Sequence, residues 1–242
     1  PAAGLIPYTV AAPYWSDGAT KERFIALPGE GKIGMASSRG WEFEDGAVLM
    51  QTLSLAMEVG QPQSSRRIET RILTRHRGEW AGYTYRWNEE QTDAALVDAS
   101  GADTRFTIKD PSAPNGARNQ SWHYPSRSEC MGCHARAVKY VLGLTTLQMN
   151  TEFDYGEVTD NQLRTLGHIG LFKSEVKDHD EYSRLVNPHN QSADINDRAR
   201  SYLHANCSHC HVTAGGGNAQ IELEFTIEPK SMNVFGIAPL HG

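Results

Sequence analysis

The chain has 242 residues, enough for one large domain or two modest ones. Apolar content of 39% and charged content of 21% fit a folded globular protein, and no apolar run is long enough to cross a membrane as a helix. A formal charge of −6 disfavours nucleic acid as a partner, because nucleic acid selects a basic face.

Residues 1 to about 115 contain no cysteine and read as β-rich. Tyr8-Thr9-Val10 leads into Ala12-Pro13-Tyr14-Trp15-Ser16-Asp17-Gly18, an aromatic loop punctuated by Pro and Gly. Short strands are expected at Arg23–Leu27, Lys32–Met35 and Trp41–Phe43. Asp45-Gly46 is a hairpin signal, and the apolar run Ala47–Leu55 suits a buried strand. Arg67–Arg75 alternates, with Ile68, Thr70, Ile72 and Thr74 on one side and Arg67, Glu69, Arg71 and Arg75 mostly on the other. That period of two predicts a half-exposed strand. Trp80–Trp87 places Tyr83, Tyr85 and Trp87 on one face, and Phe106–Ile108 is one more short strand. Many short strands with frequent turns point to a sandwich or related antiparallel architecture.

Three features here invite a functional reading. The aromatic loop and the Tyr83/Tyr85/Trp87 ladder are better read as sheet core or docking surface than as a carbohydrate platform. Ser16 and Asp17 have no His partner at a telling spacing, so a hydrolase triad is unsupported. Arg66, Arg67, Arg71, Arg75 and Arg77 make a basic strand whose default reading is a solvated sheet face.

From Asp110 to Arg127 the composition shifts to Pro, Asn and Gly, as in a linker or an irregular approach to Cys130. Beyond it the pattern turns helical. A short helix is expected at Ala135–Leu142, stopped by Gly143. Thr159 or Asp160 caps another through Gln162, Leu163 and Leu166, and Asp194 or Asn196 caps a third through Tyr202 and Leu203. Gly215–Asn218 is a flexible loop, and Glu222–Ile227 alternates like a strand.

Two stretches in this half carry the chemistry: Cys130-Met131-Gly132-Cys133-His134 and Cys207-Ser208-His209-Cys210-His211. Each reads C-x-x-C-H, the pattern for covalent attachment of a c-type haem. Two thiols at this spacing can each form a thioether to one vinyl group of a porphyrin. The His that follows then lies under the iron as its proximal ligand. The four cysteines of the chain are all used by these motifs. A structural zinc site and a redox dithiol are the alternatives, but neither requires a His directly after the second Cys, and the two pairs lie far apart for a compact zinc module. The expected cofactors are therefore two c-type haems, ligated by His134 and His211. Pairing of an arginine from the basic strand with a haem propionate is a secondary reading of that strand.

The sixth ligand separates an electron carrier from an enzyme. Met149, His123 and His168 are the candidates at the first haem. Met232 and His241 are those at the second. His204 and His209 are expected to face away from the iron. The motifs do not repeat one another: a helical pattern follows His134, whereas a Gly-rich loop follows His211.

Several stretches resemble a family of bacterial dihaem c-type cytochrome domains, some fused to sugar- or sorbosone-type dehydrogenase modules. They are residues 12–19, 67–73, 85–88, 130–150, 160–163 and 198–207. The resemblance implies dihaem electron transfer. Family members continue past the equivalent of Gly242 into a Met-Pro segment and a final helix, so it also implies that the dihaem region here lacks its C-terminal end.

The combined expectation is an α+β chain: a β-rich, sandwich-like domain at 1–115, then a mainly helical, cytochrome c-like dihaem domain at 116–242. Its expected work is to relay single electrons between redox proteins, a dehydrogenase among them, with room for a multi-subunit complex. The alternative is a peroxidase-like enzyme with one open iron. Haem attachment to C-x-x-C-H takes place outside the bacterial cytoplasmic membrane, and Pro1-Ala2-Ala3 looks like a start left after cleavage. Both point to a periplasmic or extracellular location.

Overall fold

Strand residues outnumber helical ones in the computed structural model, which describes residues 2–36, 39–236 and 238. Among these, 30% are in strands and 19% are helical. The chain forms two compact units.

The first unit comprises Pro1–Pro7, Trp15–Ala26 and Asp45–Met131. Its centre is a six-stranded antiparallel sheet in simple sequential order. The strands are β1 (Ile6–Tyr8), β2 (Thr20–Ala26), β3 (Val48–Ala56), β4 (Ser65–His76), β5 (Glu79–Trp87) and β6 (Ala94–Leu96). Asp45 serves the hairpin end, where its carboxylate accepts from the Gly78 amide at 2.9 Å. A further hairpin pairs β7 (Ala102–Lys109) with β8 (Ala117–Tyr124) along its whole length. Leu53, Leu55, Ile68, Trp122 and Tyr124 form a buried cluster between sheet and hairpin, with Ala19, Val97 and Phe106 packed against it.

Two features of this unit depart from the sequence reading. Residues 110–127 are not a linker, because β8 occupies their second half, and the unit runs to Met131 where a change at residue 115 was expected. The charged side of β4 is also not a solvated face. Glu69 is fully buried, and Arg71 donates to both its carboxylate oxygens at 2.7 and 3.0 Å. Trp122 Nε1 on β8 donates to the same carboxylate at 3.0 Å. A β-bulge at Leu53/Ser54 leaves Ile68 outside the paired register, so Ile68, Glu69 and Thr70 are all buried in succession.

The second unit comprises Tyr8–Tyr14, Leu27–Glu44 and Gly132–Gly242. Its helices are short: α2 (Thr146–Met149), α3 (Gln162–His168) and α4 (Ile195–Asn206). A fourth helix, α1 (Arg127–Cys133), crosses the division between the units. Strands β9 (Glu152–Asp154) and β10 (Thr159–Asn161) pair into a small hairpin before α3. Two buried glutamines hold the incoming segment as a neighbouring strand would. Gln148 accepts from the Ala12 amide at 2.9 Å and donates to its carbonyl at 2.8 Å. Gln162 accepts from the Thr9 amide at 2.8 Å. Trp41 is buried edge-on against Phe172, with ring centroids 5.2 Å apart.

Among the described residues the expected mainly helical, cytochrome c-like domain is therefore absent. Asx residues shape much of this segment. Asp154, Asp178, Asn187, Asn190 and Asp194 each accept from the amide two residues on, at 2.8–3.1 Å. Such bonds stabilise turns and compete with helix. Only after Asp194 does the turn open into a helix of twelve residues, α4. Glu222–Ile227, expected as a strand, has no strand structure.

Candidate functional site

The first C-x-x-C-H motif begins inside α1. Ser126 and Glu129 form a capping box at its start: the Glu129 amide donates to Ser126 Oγ at 3.2 Å, and the Ser126 amide donates to the Glu129 carboxylate at 2.8 Å. The bonds from Ser126, and then His123, hold the Glu129 carboxyl down at about 2. Cys130 lies one residue further on, directly over β5. A side chain at Gly82 would meet Cys130 Cβ at 2.7 Å and Sγ at 3.0 Å, so only glycine admits this approach. Burial pushes the Cys130 thiol up, which keeps it protonated.

His134 follows the helix. Its Nδ1 donates to the Tyr140 carbonyl at 2.7 Å. A carbonyl only accepts, so Nδ1 carries the proton and Nε2 keeps its lone pair. The turn that delivers this carbonyl replaces the expected helix at 135–142. A single 3-10 turn at Arg136–Val138 ends in left-handed Lys139 (φ 55°) and Tyr140 (φ 65°), and the Tyr140 amide donates back to the Ala135 carbonyl at 2.9 Å.

The second motif hangs from the end of α4, as its sequence pattern indicates. The Asp194 side chain caps the helix by accepting from the Asn196 and Asp197 amides. The Cys207 carbonyl then accepts from the amides of Cys210 at 3.1 Å and His211 at 2.9 Å, which folds the five residues into one tight turn. The loop Gly215-Gly216-Gly217 closes over it, with the Gly217 amide donating to the Cys210 carbonyl at 3.0 Å. A side chain at Gly217 would meet His211 Nδ1 at 2.8 Å and the Cys210 carbonyl at 2.9 Å. The loop is thus a fitted cover for the imidazole. His211 Nδ1 is enclosed without a hydrogen-bond partner. Burial, then Cys210, pushes the Cys207 thiol up.

All four cysteines are free thiols. Among the described residues, the one group of three or more His, Cys, Asp or Glu ligand atoms within 4.8 Å is Asp178, His179 and Asp180. None of the four cysteines belongs to that group. Two thiols and an imidazole per motif, with the His134 tautomer already set for ligation through Nε2, fit a covalently attached haem.

The distal candidates are dispersed. Met149 ends α2 with no solvent exposure, its thioether enclosed by protein. His123 sits on β8 with both ring nitrogens engaged, Nδ1 by Asp103 at 2.7 Å and Nε2 by Glu129 at 3.1 Å. Those two carboxylates raise its pKa, and between them they engage both ring nitrogens that could face iron. His168 is exposed at the end of α3. Met232 is buried after a 3-10 turn. His241 lies outside the described residues.

His204 and His209 line a cavity of about 50 Å³ in the second unit with Arg39, Val138, Val141 and Glu224. Arg39 Nε and the Glu224 carboxylate approach to 3.5 Å. His204 Nδ1 accepts from the Phe225 amide at 3.2 Å, and burial lowers its pKa to about 4. His209 packs edge-on against Tyr14, with centroids 5.8 Å apart, and burial followed by His211 lowers its pKa. Sequence reading did not find the Ser126/Glu129 cap, although S-x-x-E before the motif is its signal. The Tyr140 carbonyl and the Gly217 cover had no local signal.

Compared with protein-family models, with curated proteins and with solved structures, the chain finds no match. Among the described residues no helix is long and apolar enough to cross a membrane.

Proposed function

We propose that this chain is a dihaem c-type cytochrome that passes single electrons between redox proteins outside the cytoplasmic membrane. The observation that carries the reading is the pair of C-x-x-C-H motifs, which take up every cysteine of the chain as a free thiol. Its structural support is the His134 imidazole, whose Nδ1–H is held by the Tyr140 carbonyl.

In this reading Cys130, Cys133, Cys207 and Cys210 supply the thioether sulfurs, and His134 and His211 the proximal nitrogens. Bound haem supplies a one-electron couple whose potential follows axial ligation, burial and hydrogen bonding around it. The protein's part is to fix those quantities. The Tyr140 carbonyl makes the His134 imidazole more electron-rich. The loop at Gly217 encloses His211 Nδ1. The formal charge of −6 suits encounter with a basic redox partner, where charge mainly raises the association rate. The resemblance to dihaem domains fused to dehydrogenase modules favours a dehydrogenase as the donor.

Expression with a haem-attachment system, followed by denaturation and intact-mass measurement, tests the reading. Two covalently retained porphyrins are expected, with one lost in Cys130→Ser/Cys133→Ser and the other in Cys207→Ser/Cys210→Ser. A chain that retains none overturns it. A ferrous high-spin fraction that binds CO would replace the carrier with an enzyme holding an open iron.

A further inference from the structure

The Tyr140 carbonyl reaches His134 from a strained turn. Lys139 and Tyr140 are consecutive left-handed residues, with φ of 55° and 65°. That conformation brings Cβ too close to the following carbonyl and is unfavourable for both residues. It persists only where the surroundings over-determine it. The turn supplies part of the hold itself, through bonds from the Val138 and Tyr140 amides to the Ala135 carbonyl at 3.2 and 2.9 Å. The rest comes from a segment that lies 98 residues earlier in the chain.

That segment is Arg39-Gly40-Trp41, and it grips the turn on both sides of Tyr140. Arg39 Nη1 donates to the Ala137 carbonyl. The Gly40 amide donates to the Val138 carbonyl at 3.3 Å, and the Trp41 amide to the Leu144 carbonyl at 2.8 Å. Gly40 approaches so closely that a side chain there would press on the Val141 carbonyl and meet the Val138 carbonyl at 2.9 Å. Both obstacles are backbone atoms, so neither can swing aside. The segment is anchored at each end. Trp41 is buried, with its Nε1 donating to Thr146 Oγ1 at 3.3 Å. Arg39 Nε stands 3.5 Å from the Glu224 carboxylate.

We propose that Arg39-Gly40-Trp41 is the positioning element for the proximal ligand of the first haem: it holds the strained turn, and the turn holds the His134 imidazole. The inference rests on the haem reading above and names what tunes that one site. The three residues act through the Tyr140 carbonyl. The acceptor for a ligating His fixes the ring orientation and raises its basicity, and loss of such outer partners is felt at the metal. The second motif has no equivalent acceptor, because His211 Nδ1 has no hydrogen-bond partner. The segment should therefore act on one haem and not on the other.

The test uses the full haem-loaded chain. The reduction potential of each haem is assigned spectroelectrochemically, and exchange of the His134 Nδ1 proton with solvent is followed by NMR. Gly40→Ala adds no charge and forces segment and turn apart. The bond from Nδ1 to the Tyr140 carbonyl should weaken, the imidazole should become less electron-rich, and the oxidised iron should lose stabilisation. The reduction equilibrium constant of the haem at His134 should rise about tenfold, ~59 mV for one electron, with the haem at His211 unchanged. The Nδ1 proton should exchange faster. Should Gly40→Ala fail to fold, Arg39→Gln/Glu224→Gln decides. That pair of changes removes the bond to Ala137 while the two lost charges cancel, and it should shift the same haem in the same direction by less. Arg39→Lys keeps a donor and the charge and should stay near wild type. A lowered denaturation midpoint with both potentials and the exchange rate unchanged would make the segment structural support only and overturn the proposal. Equal shifts at both haems overturn the assignment to His134. Absence of covalent haem in the wild-type chain overturns the haem reading itself, and this inference with it.

Discussion

The two C-x-x-C-H motifs share a pattern and differ in what surrounds them. The first starts in a capped helix, sets its Cys130 thiol on a sheet, and gives the following His a carbonyl acceptor. The second ends a longer helix, closes into a turn under a glycine loop, and leaves its His Nδ1 without an acceptor. A buried donor or acceptor left unpaired costs about 1–3 kcal/mol. The pattern thus sets attachment chemistry, while the surroundings set how electron-rich each imidazole is. An imidazole that donates through Nδ1 is the more basic ligand and stabilises the oxidised iron. The haem at His134 should have the lower potential of the two, to be read by assigning each potential in the single-motif Cys→Ser variants. Reversal of that order would sink the comparison.

The largest expected effects concern what each motif leans on. Glu69→Ala leaves Arg71 and Trp122 Nε1 without their acceptor in the core of the first unit. Loss of one partner of a buried pair costs about 3–5 kcal/mol, with the lower end expected because Arg71 is 35% exposed. Chemical denaturation should show a shifted midpoint, and the first haem should be affected before the second. No shift would mean that the charged face is not part of the support for Cys130.

The second unit should respond to acid instead. His204 has its folded pKa lowered to about 4 from an ordinary 6.5. The unfolded chain therefore binds the extra proton first. Stability from keeping His204 neutral is complete above pH 6.5, declines as pH falls below it, and is gone near pH 4. The full amount is about 3 kcal/mol from the size of the shift. Denaturation midpoints measured between pH 7 and 4 should decline, and His204→Gln should flatten the decline. An equally steep decline in that variant would assign the acid sensitivity elsewhere.

Steric tests should separate the motifs cleanly. Gly82→Ala presses on Cys130, and Gly217→Ala presses on the His211 ring, at 2.7 and 2.8 Å. Overpacking of this kind costs about 1–3 kcal/mol. Each should disturb the absorption of one haem only. Gly216→Ala meets nothing within 4 Å and should be silent. Crossed effects would show that the two sites do not behave independently.

Legibility in the sequence followed the range of the forces involved. The strands β3, β4 and β5 and the helix α4 have strong local periodicity, and the structure has them close to the expected bounds. The motifs were legible because their chemistry is contiguous. What failed was decided at a distance or by competition. β8 lies in a Pro- and Asn-rich stretch, and its strand character comes from pairing with β7. Glu69 read as exposed because alternation says which side a residue takes, not which side is covered; Trp122 covers it. Arg39 meets Ala137 across 98 residues of chain, beyond the reach of any local pattern. The expected helical domain is broken by Asx turns at Asp154, Asp178, Asn187 and Asn190, which lie between the helical repeats and which helix patterning does not register.

The smallest predicted effect sharpens the comparison at the helices that present the cysteines. Ser126→Ala removes the acceptor for the Glu129 amide at the start of α1, and Asp194→Ala removes the acceptor for two amides at the start of α4. Either loss costs about 1 kcal/mol. The consequences should still differ. Cys130 lies in the first turns of α1, so fraying there moves the thiol itself. Cys207 lies beyond the far end of α4, held by the bond from its amide to the Leu203 carbonyl at 2.9 Å, and should be insulated from the loss. Haem incorporation during expression, measured as the fraction of chains carrying both porphyrins, should fall in Ser126→Ala and stay near wild type in Asp194→Ala. Equal losses would mean that both motifs depend on their helices alike, and that the sheet and the glycine loop contribute nothing to holding the thiols ready.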